Sequence, residues 1–230
     1  MVAIDESLLK NAISAYTNYT YSGSGKIQLP YYQTEEQVYG GKWLVDEITS
    51  HLQALGCDGK TTSEIQAITD NNPSKTGMDC SGLALNVTYV ASSGEMLTYY
   101  ANLIPGFPKD ESDLYQLHYG ITASALTSLT YCDEISLPEN MKAGDFIRFN
   151  SGEHIGVIKS IVKNIDYTGH TISYYITYAH SSGGKGPHEA TISVPEGQAL
   201  NSSSALWSDW DSNYSSIIKS LFNYVCRPKA

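Results

Sequence analysis

The chain reads as an α+β protein, with helices first and an antiparallel sheet after. Two observations carry this. Apolar residues recur at helical spacing through the first part of the sequence. From Phe146 onward, short β-branched and aromatic runs alternate with polar turns instead. A third observation joins the halves: Asp79-Cys80-Ser81-Gly82 closes a breaker-rich run and opens an apolar helical one, so a cysteine is set at a helix start.

The elements follow in order. Ile4, Leu8, Leu9, Ala12, Ile13 and Tyr16 predict an amphipathic helix over residues 5–17. Ser22-Gly23-Ser24-Gly25 breaks the chain before an extended piece from Ile27 to Tyr32 that contains Pro30. Trp43, Leu44, Ile48, Leu52 and Leu55 predict a second helix, stopped by Gly56. Thr61-x-x-Glu64 is a capping-box pattern ahead of Ile65 and Ile68. After Asn71-Asn72-Pro73-Ser74-Lys75-Thr76-Gly77, the residues Leu83, Ala84, Val87, Val90 and Ala91 predict the helix that begins at Cys80. Gly94 to Pro108 is mixed and apolar, Asp110 to Tyr119 reads as a short helix closed by Gly120, and Thr122 to Leu129 as another. Strands are expected at Phe146–Phe149, Ile155–Ile165, Thr171–Tyr178 and Ala190–Val194, with Asp166-Tyr167-Thr168-Gly169-His170 turning between the two long ones. A Ser- and Trp-rich stretch at 201–216 leads to a final helix or strand ending at Pro228.

Composition excludes some functions. The chain has 230 residues, a formal net charge of -10 and 41% hydrophobic residues, enough for a sizeable core. A surplus of acid argues against nucleic-acid partners, whose phosphates demand basic patches. No apolar run approaches the roughly 18 residues of a membrane span. Eighteen tyrosines against four phenylalanines suit extracellular, carbohydrate-facing surfaces, or strands packed with wet hydroxyls. Four cysteines are too few for a disulfide scaffold. If Cys80 is a free thiol, an odd number is left among Cys57, Cys132 and Cys226, with room for one disulfide. Met1-Val2-Ala3-Ile4-Asp5-Glu6 lacks the basic start and apolar core of a signal peptide. Asn86 falls in an Asn-x-Ser/Thr match, but on the Cys80 helix, which disfavours glycosylation there.

The chemistry centres on Cys80. A helix N-terminus favours thiolate over thiol, and a thiolate is a nucleophile if a base is near. His154 opens a predicted strand after the turn Asn150-Ser151-Gly152-Glu153, and His180 ends another. A nucleophile on a helix, a base on one strand and an orienting group on the next form a workable triad. His188, in Lys185-Gly186-Pro187-His188-Glu189, competes with His180 for the third place and is otherwise expected at a cleft edge or exposed. His51 and His118 sit on predicted helices as structural or solvated residues. No Cys-x-x-Cys, His-x-x-His or His-Glu-x-x-His spacing occurs, so no metal or cofactor is expected. Asp79 and Cys80 with His154 and His180 could form a metal site in principle.

Asp-Cys-Ser-Gly-Leu at 79–83, Ala-Gly-Asp-Phe at 143–146, His-Ile-Gly-Val at 154–157, Tyr-Ala-His-Ser at 178–181 and the closing Tyr224-Val225-Cys226-Arg227-Pro228 together resemble the NlpC-type papain-like cell-wall cysteine peptidases. The resemblance covers about residues 36–228, leaving 1–35 as a helix and extended lead-in. It implies a papain-like fold, with the nucleophile helix packed on the sheet. It also implies a Cys80 nucleophile, a His154 general base, His180 as the group that orients His154, and the Cys80 N–H in an oxyanion hole. Asp79 and Ser81 match positions that line the substrate site in relatives, and Gly156 and Ser181 are carried over with them. Relatives also carry Tyr-x-Trp-Gly-Gly before the cysteine. The nearest match is Gln37-Val38-Tyr39-Gly40-Gly41, which puts Tyr39 at the substrate and Gln where the first tyrosine stands. Its distance from Cys80 makes about 43–77 an insertion. The long intervals between Cys80, His154 and His180 imply a second insertion at about 95–138 and a longer hairpin at 155–179.

The implied activity is hydrolysis of bacterial peptidoglycan stems at the γ-D-glutamyl to diamino-acid bond. It would be carried out by a secreted or wall-associated monomer whose signal has been removed. Release by lysis is the other route out of the cell. The same triad also suits the muramoyl–alanine amide or an acyl transfer to an amine. Gln37 and the insertions leave room for a non-catalytic wall-binding module.

Overall fold

In the computed structural model, residues 2–33, 42–104 and 121–229 are described. The expected helix at 110–119, His118 and the motif bearing Tyr39 lie outside them. Eight α-helices and a seven-stranded antiparallel sheet make up the described part.

The helical half begins with α1 (Glu6–Thr17), whose N-cap Asp5 accepts from the N–H groups of Ser7 and Leu8. Next come α2 (Val45–Ala54), α3 (Thr62–Asn71) and the single turn α4 (Pro73–Thr76). The capping box is present on α3: Glu64 accepts from the Thr61 N–H and Thr61 Oγ1 from the Glu64 N–H. Helix α5 (Cys80–Ala91) is buried nearly all round, which marks a central helix rather than an amphipathic surface one. Its Asn86 is buried and bonded to Tyr16 Oη and the Trp43 carbonyl, out of reach of glycosylation. The stretch after Gly94, read from sequence only as mixed, forms α6 (Glu95–Leu103), and α7 is the short Ala123–Leu126.

The sheet contains β1 (Cys132–Ile135), β2 (Phe146–Phe149), β3 (His154–Ile165), β4 (Thr171–Ser182), β5 (Gly186–Pro195), β6 (Leu206–Ser208) and β7 (Phe222–Pro228), in the order β1-β7-β2-β3-β4-β5-β6. Helix α8 (Ser212–Leu221) precedes β7, so the final segment is both helix and strand. Alternation along the strands sorts side chains onto two faces. Phe146, Val157 and Cys226 join the core beneath α1 and α5, while Ile147, Ile158 and Val225 join a second core capped by Ile218 of α8. The N-terminal helix shares the first core with α5 through Leu9 and Ile13.

Two of the sequence motifs meet here. Asp145 accepts from Arg227 Nε at 2.6 Å and from a second guanidinium nitrogen at 2.8 Å, clamping β2 to β7. All four cysteines are free thiols. Among the described residues no helix is long and apolar enough to cross a membrane.

Candidate active site

Cys80 is the first residue of α5, and its Sγ lies 3.9 Å from the Glu153 carbonyl. The cleft it faces, about 490 Å³, is also lined by Asp79, Ser81, Lys42, Glu153, His154, Tyr214 and Leu221. So strand β3 brings its first residue, His154, to the start of α5, as the sequence predicts.

The helix start is built by charge. Asp79, the N-cap, accepts from the Gly82 N–H and from Ser81 Oγ. Its other oxygen lies 3.3 Å from Lys42 Nζ, which also donates to Ser81 Oγ at 2.5 Å and to the Ile121 carbonyl at 2.9 Å. Lys42 is only 3% exposed, so this ion pair is buried beside Cys80. Burial, then the Asp79 carboxylate, pushes the Cys80 thiol up to about 12, against the Ile155 and Ser81 N–H groups and the Lys42 charge. The helix start therefore does not by itself yield the thiolate expected from sequence. The thiol form of Cys80 is the one this environment favours.

His154 is held by a chain of hydrogen bonds. His154 Nε2 is 2.9 Å from His180 Nδ1, and His180 Nε2 is 2.9 Å from Asp209 Oδ2. Asp209 Oδ1 is 2.8 Å from His188 Nε2 and accepts from the Trp210 N–H at 2.7 Å. Burial alone would raise the Asp209 carboxyl, but the bonds from His180 and His188 outweigh it and hold the acid below its usual range. Asp209 is thus a carboxylate and only accepts. It follows that His180 carries its hydrogen on Nε2, leaving Nδ1 to accept. His154 must then donate from Nε2, which leaves a lone pair on its Nδ1. Burial lowers both rings' affinity for a second proton, His180 to about 4 and His154 well below the usual value.

The turn that delivers His154 is strained. Asn150 and Ser151 have φ of 47° and 56°, left-handed values that non-glycine residues seldom adopt. Arg148 pins the turn from β2 through the Ser151 carbonyl, and Asn223 Oδ1 accepts from the Ser151 N–H at 2.7 Å.

Other expected site residues fall elsewhere. His180 is 0% exposed and reaches the cleft only through His154. Ser181 is buried and donates to the Met78 carbonyl at 2.6 Å, tying β4 to the segment before Cys80 instead of lining the cleft. Gly156 is packed against Tyr178, where a Cβ would lie 3.0 Å from the ring, so it is absent for closeness and not for substrate. His188, expected at a cleft edge or exposed, is buried on β5 directly opposite His180. His51 is structural: its Nδ1 lies 2.8 Å from the Lys75 carbonyl and its ring meets Trp43 edge-on.

Sequence reasoning missed two residues, Lys42 and Asp209. Asp209 stands in a Ser- and Trp-rich stretch with no motif around it and is delivered by the edge strand β6, which pairs with β5 at Thr191↔Ser208. Lys42 is brought in by a backbone bridge to Met78. Comparison of the chain with protein families, with characterised proteins and with solved structures finds no match.

Proposed function

We propose that the protein is a papain-like cysteine peptidase that hydrolyses peptide stems of bacterial peptidoglycan at the γ-D-glutamyl to diamino-acid bond. The observation that carries the cysteine-hydrolase reading is the shared cleft of Cys80 and His154, with His154 oriented by His180 and Asp209. The choice of substrate rests on the motif resemblance. The helix-on-sheet placement of nucleophile and base agrees with a papain-like arrangement.

In this mechanism the Cys80 sulfur attacks the amide carbon while His154 Nδ1 takes the thiol proton. The first-turn N–H of Cys80, one of the helix's unbonded donors, supports the oxyanion. Collapse breaks the C–N bond, and His154 returns the proton to the leaving amine. A water then gives a proton to His154, attacks the thioester carbon and releases the acid and the Cys80 thiol. His180 and Asp209 hold the His154 tautomer throughout.

The test is mass spectrometry of purified muropeptides after incubation with the protein and with Cys80→Ala. The expected result is new fragments from the wild type alone, at masses that place the cut at γ-D-glutamyl. Fragments cut at the muramoyl–alanine amide would reassign the bond and keep the mechanism. No fragments from several peptidoglycan types would sink the peptidase reading in favour of a wall-binding module.

A further inference from the structure

We propose that His180, His188 and Asp209 form a binding site for a divalent transition-metal ion of the zinc type, and that the bound ion switches Cys80 off. The binding half stands on geometry alone, whereas the switching half rests on the peptidase reading.

The ligand atoms of the three residues lie within 4.8 Å of one another. Two imidazole nitrogens and a carboxylate oxygen suit zinc and its neighbours. No sequence spacing announces the site because strand register builds it. His180 and His188 are directly opposite on β4 and β5, and Asp209 follows the edge strand that pairs with β5.

The outer shell is also in place. A metal-bound imidazole normally donates its other N–H to a carbonyl or carboxylate. His188 Nδ1 lies 2.7 Å from the Gly186 carbonyl, which only accepts, and this turns Nε2 toward the cluster. His188 Nε2 faces Asp209 Oδ1 on the other side, so its ring is held between the Gly186 carbonyl and the cluster. A tetrahedral ion with bonds of about 2.0–2.1 Å holds its ligand atoms roughly 3.3 Å apart. The present separations of 2.8 and 2.9 Å need a small opening to reach that. His188 also lines a cavity of about 340 Å³ separate from the Cys80 cleft, with Thr17, Gln28, Lys185, Glu189 and Trp210.

The consequence for Cys80 follows from proton positions. In the metal-free chain His154 and His180 each carry their hydrogen on Nε2. Metal on Nε2 of His180 moves that ring's hydrogen to Nδ1. His180 then donates to His154 Nε2, so the hydrogen of His154 moves to Nδ1. The nitrogen that should accept the Cys80 proton is now occupied.

The test uses the full chain with cobalt(II) as an optical probe and zinc by calorimetry. The expected result is one ion per chain, with a cobalt spectrum that lacks the thiolate-to-metal charge-transfer band and is unchanged in Cys80→Ser. His188→Ala should weaken binding at least about a hundredfold, and His188→Gln, which keeps the volume, should do the same if the alanine variant does not fold. Saturating zinc should cut muropeptide hydrolysis at least about a hundredfold, as expected for a base in the wrong tautomer. No saturable binding, or a thiolate band that Cys80→Ser abolishes, overturns the site. Binding at the site with hydrolysis unaffected overturns the switch. If no hydrolysis occurs with or without metal, the peptidase reading fails, and the switch with it, while the cobalt spectrum still decides the site.

Discussion

Asp209→Asn isolates the relay in one change of atom. Asp209 Oδ1 accepts from two donors, the Trp210 N–H at 2.7 Å and His188 Nε2 at 2.8 Å, while Oδ2 faces His180 Nε2 at 2.9 Å. An asparagine carbonyl oxygen is therefore best placed on the first side, and its NH2 group turns to His180. There it donates, which forces the His180 hydrogen onto Nδ1 and the His154 hydrogen onto its own Nδ1. The backbone and volume are unchanged, and thermal unfolding should remain within a few degrees of wild type. A catalytic imidazole held in the wrong tautomer loses about 10⁴ in kcat, or about 5.4 kcal/mol in the barrier at 1.36 kcal/mol per tenfold. The assay is muropeptide turnover by chelator-treated protein, paired with nitrogen NMR of the histidine rings. A variant within about threefold of wild-type kcat, or an unchanged His154 tautomer, would refute the relay.

Three further outcomes are expected. Lys42→Met removes the cation beside a buried Asp79, which should cost about 3–5 kcal/mol in urea unfolding, and Asp79→Asn in the same chain should recover part of it. Because Cys80 rests as a thiol with its affinity for the proton raised to about 12, its alkylation by iodoacetamide should climb roughly tenfold per unit from about pH 7 to about pH 9 without a plateau. A plateau below about pH 8 would mean a thiolate–imidazolium pair at rest. Gly156→Ala places a methyl 3.0 Å from the Tyr178 ring and should cost about 1–3 kcal/mol, measured as a lowered melting temperature. Equal stability would show that Tyr178 yields freely.

Local order was legible where local physics decides it. The capping box at Thr61, the all-apolar period after Cys80 and the polar turn before His154 each lie within a few residues, and the corresponding elements form there. Helix α6 was hidden because it starts from Gly94 at φ 89° without a side-chain cap, and its stretch runs on into prolines. The candidate site was half legible. Cys80, His154 and His180 follow from motif and strand ends, but the carboxylate that fixes the tautomers of the two histidines comes from Asp209, which only sheet register brings near. Gly156 and Ser181 were carried over to the substrate site with the motif, yet Gly156 is closed in by the Tyr178 ring and Ser181 is bonded to the Met78 carbonyl, contacts that only the folded sheet supplies. Lys42 had no signal of its own, since a single lysine before Trp43 gains meaning only once Asp79 is buried against it.

The sheet order also bears on how the molecule is made. Among the described residues, strand β1 joins the sheet only through β7, which lies between it and β2. A ribosome therefore releases β1 long before its neighbour exists, and the Asp145 side chain waits equally long for Arg227. Closing such a distant pairing is slow, because loop entropy is lost before the contact forms. The expected result is a nascent chain whose sheet is incomplete until residues 222–228 have emerged.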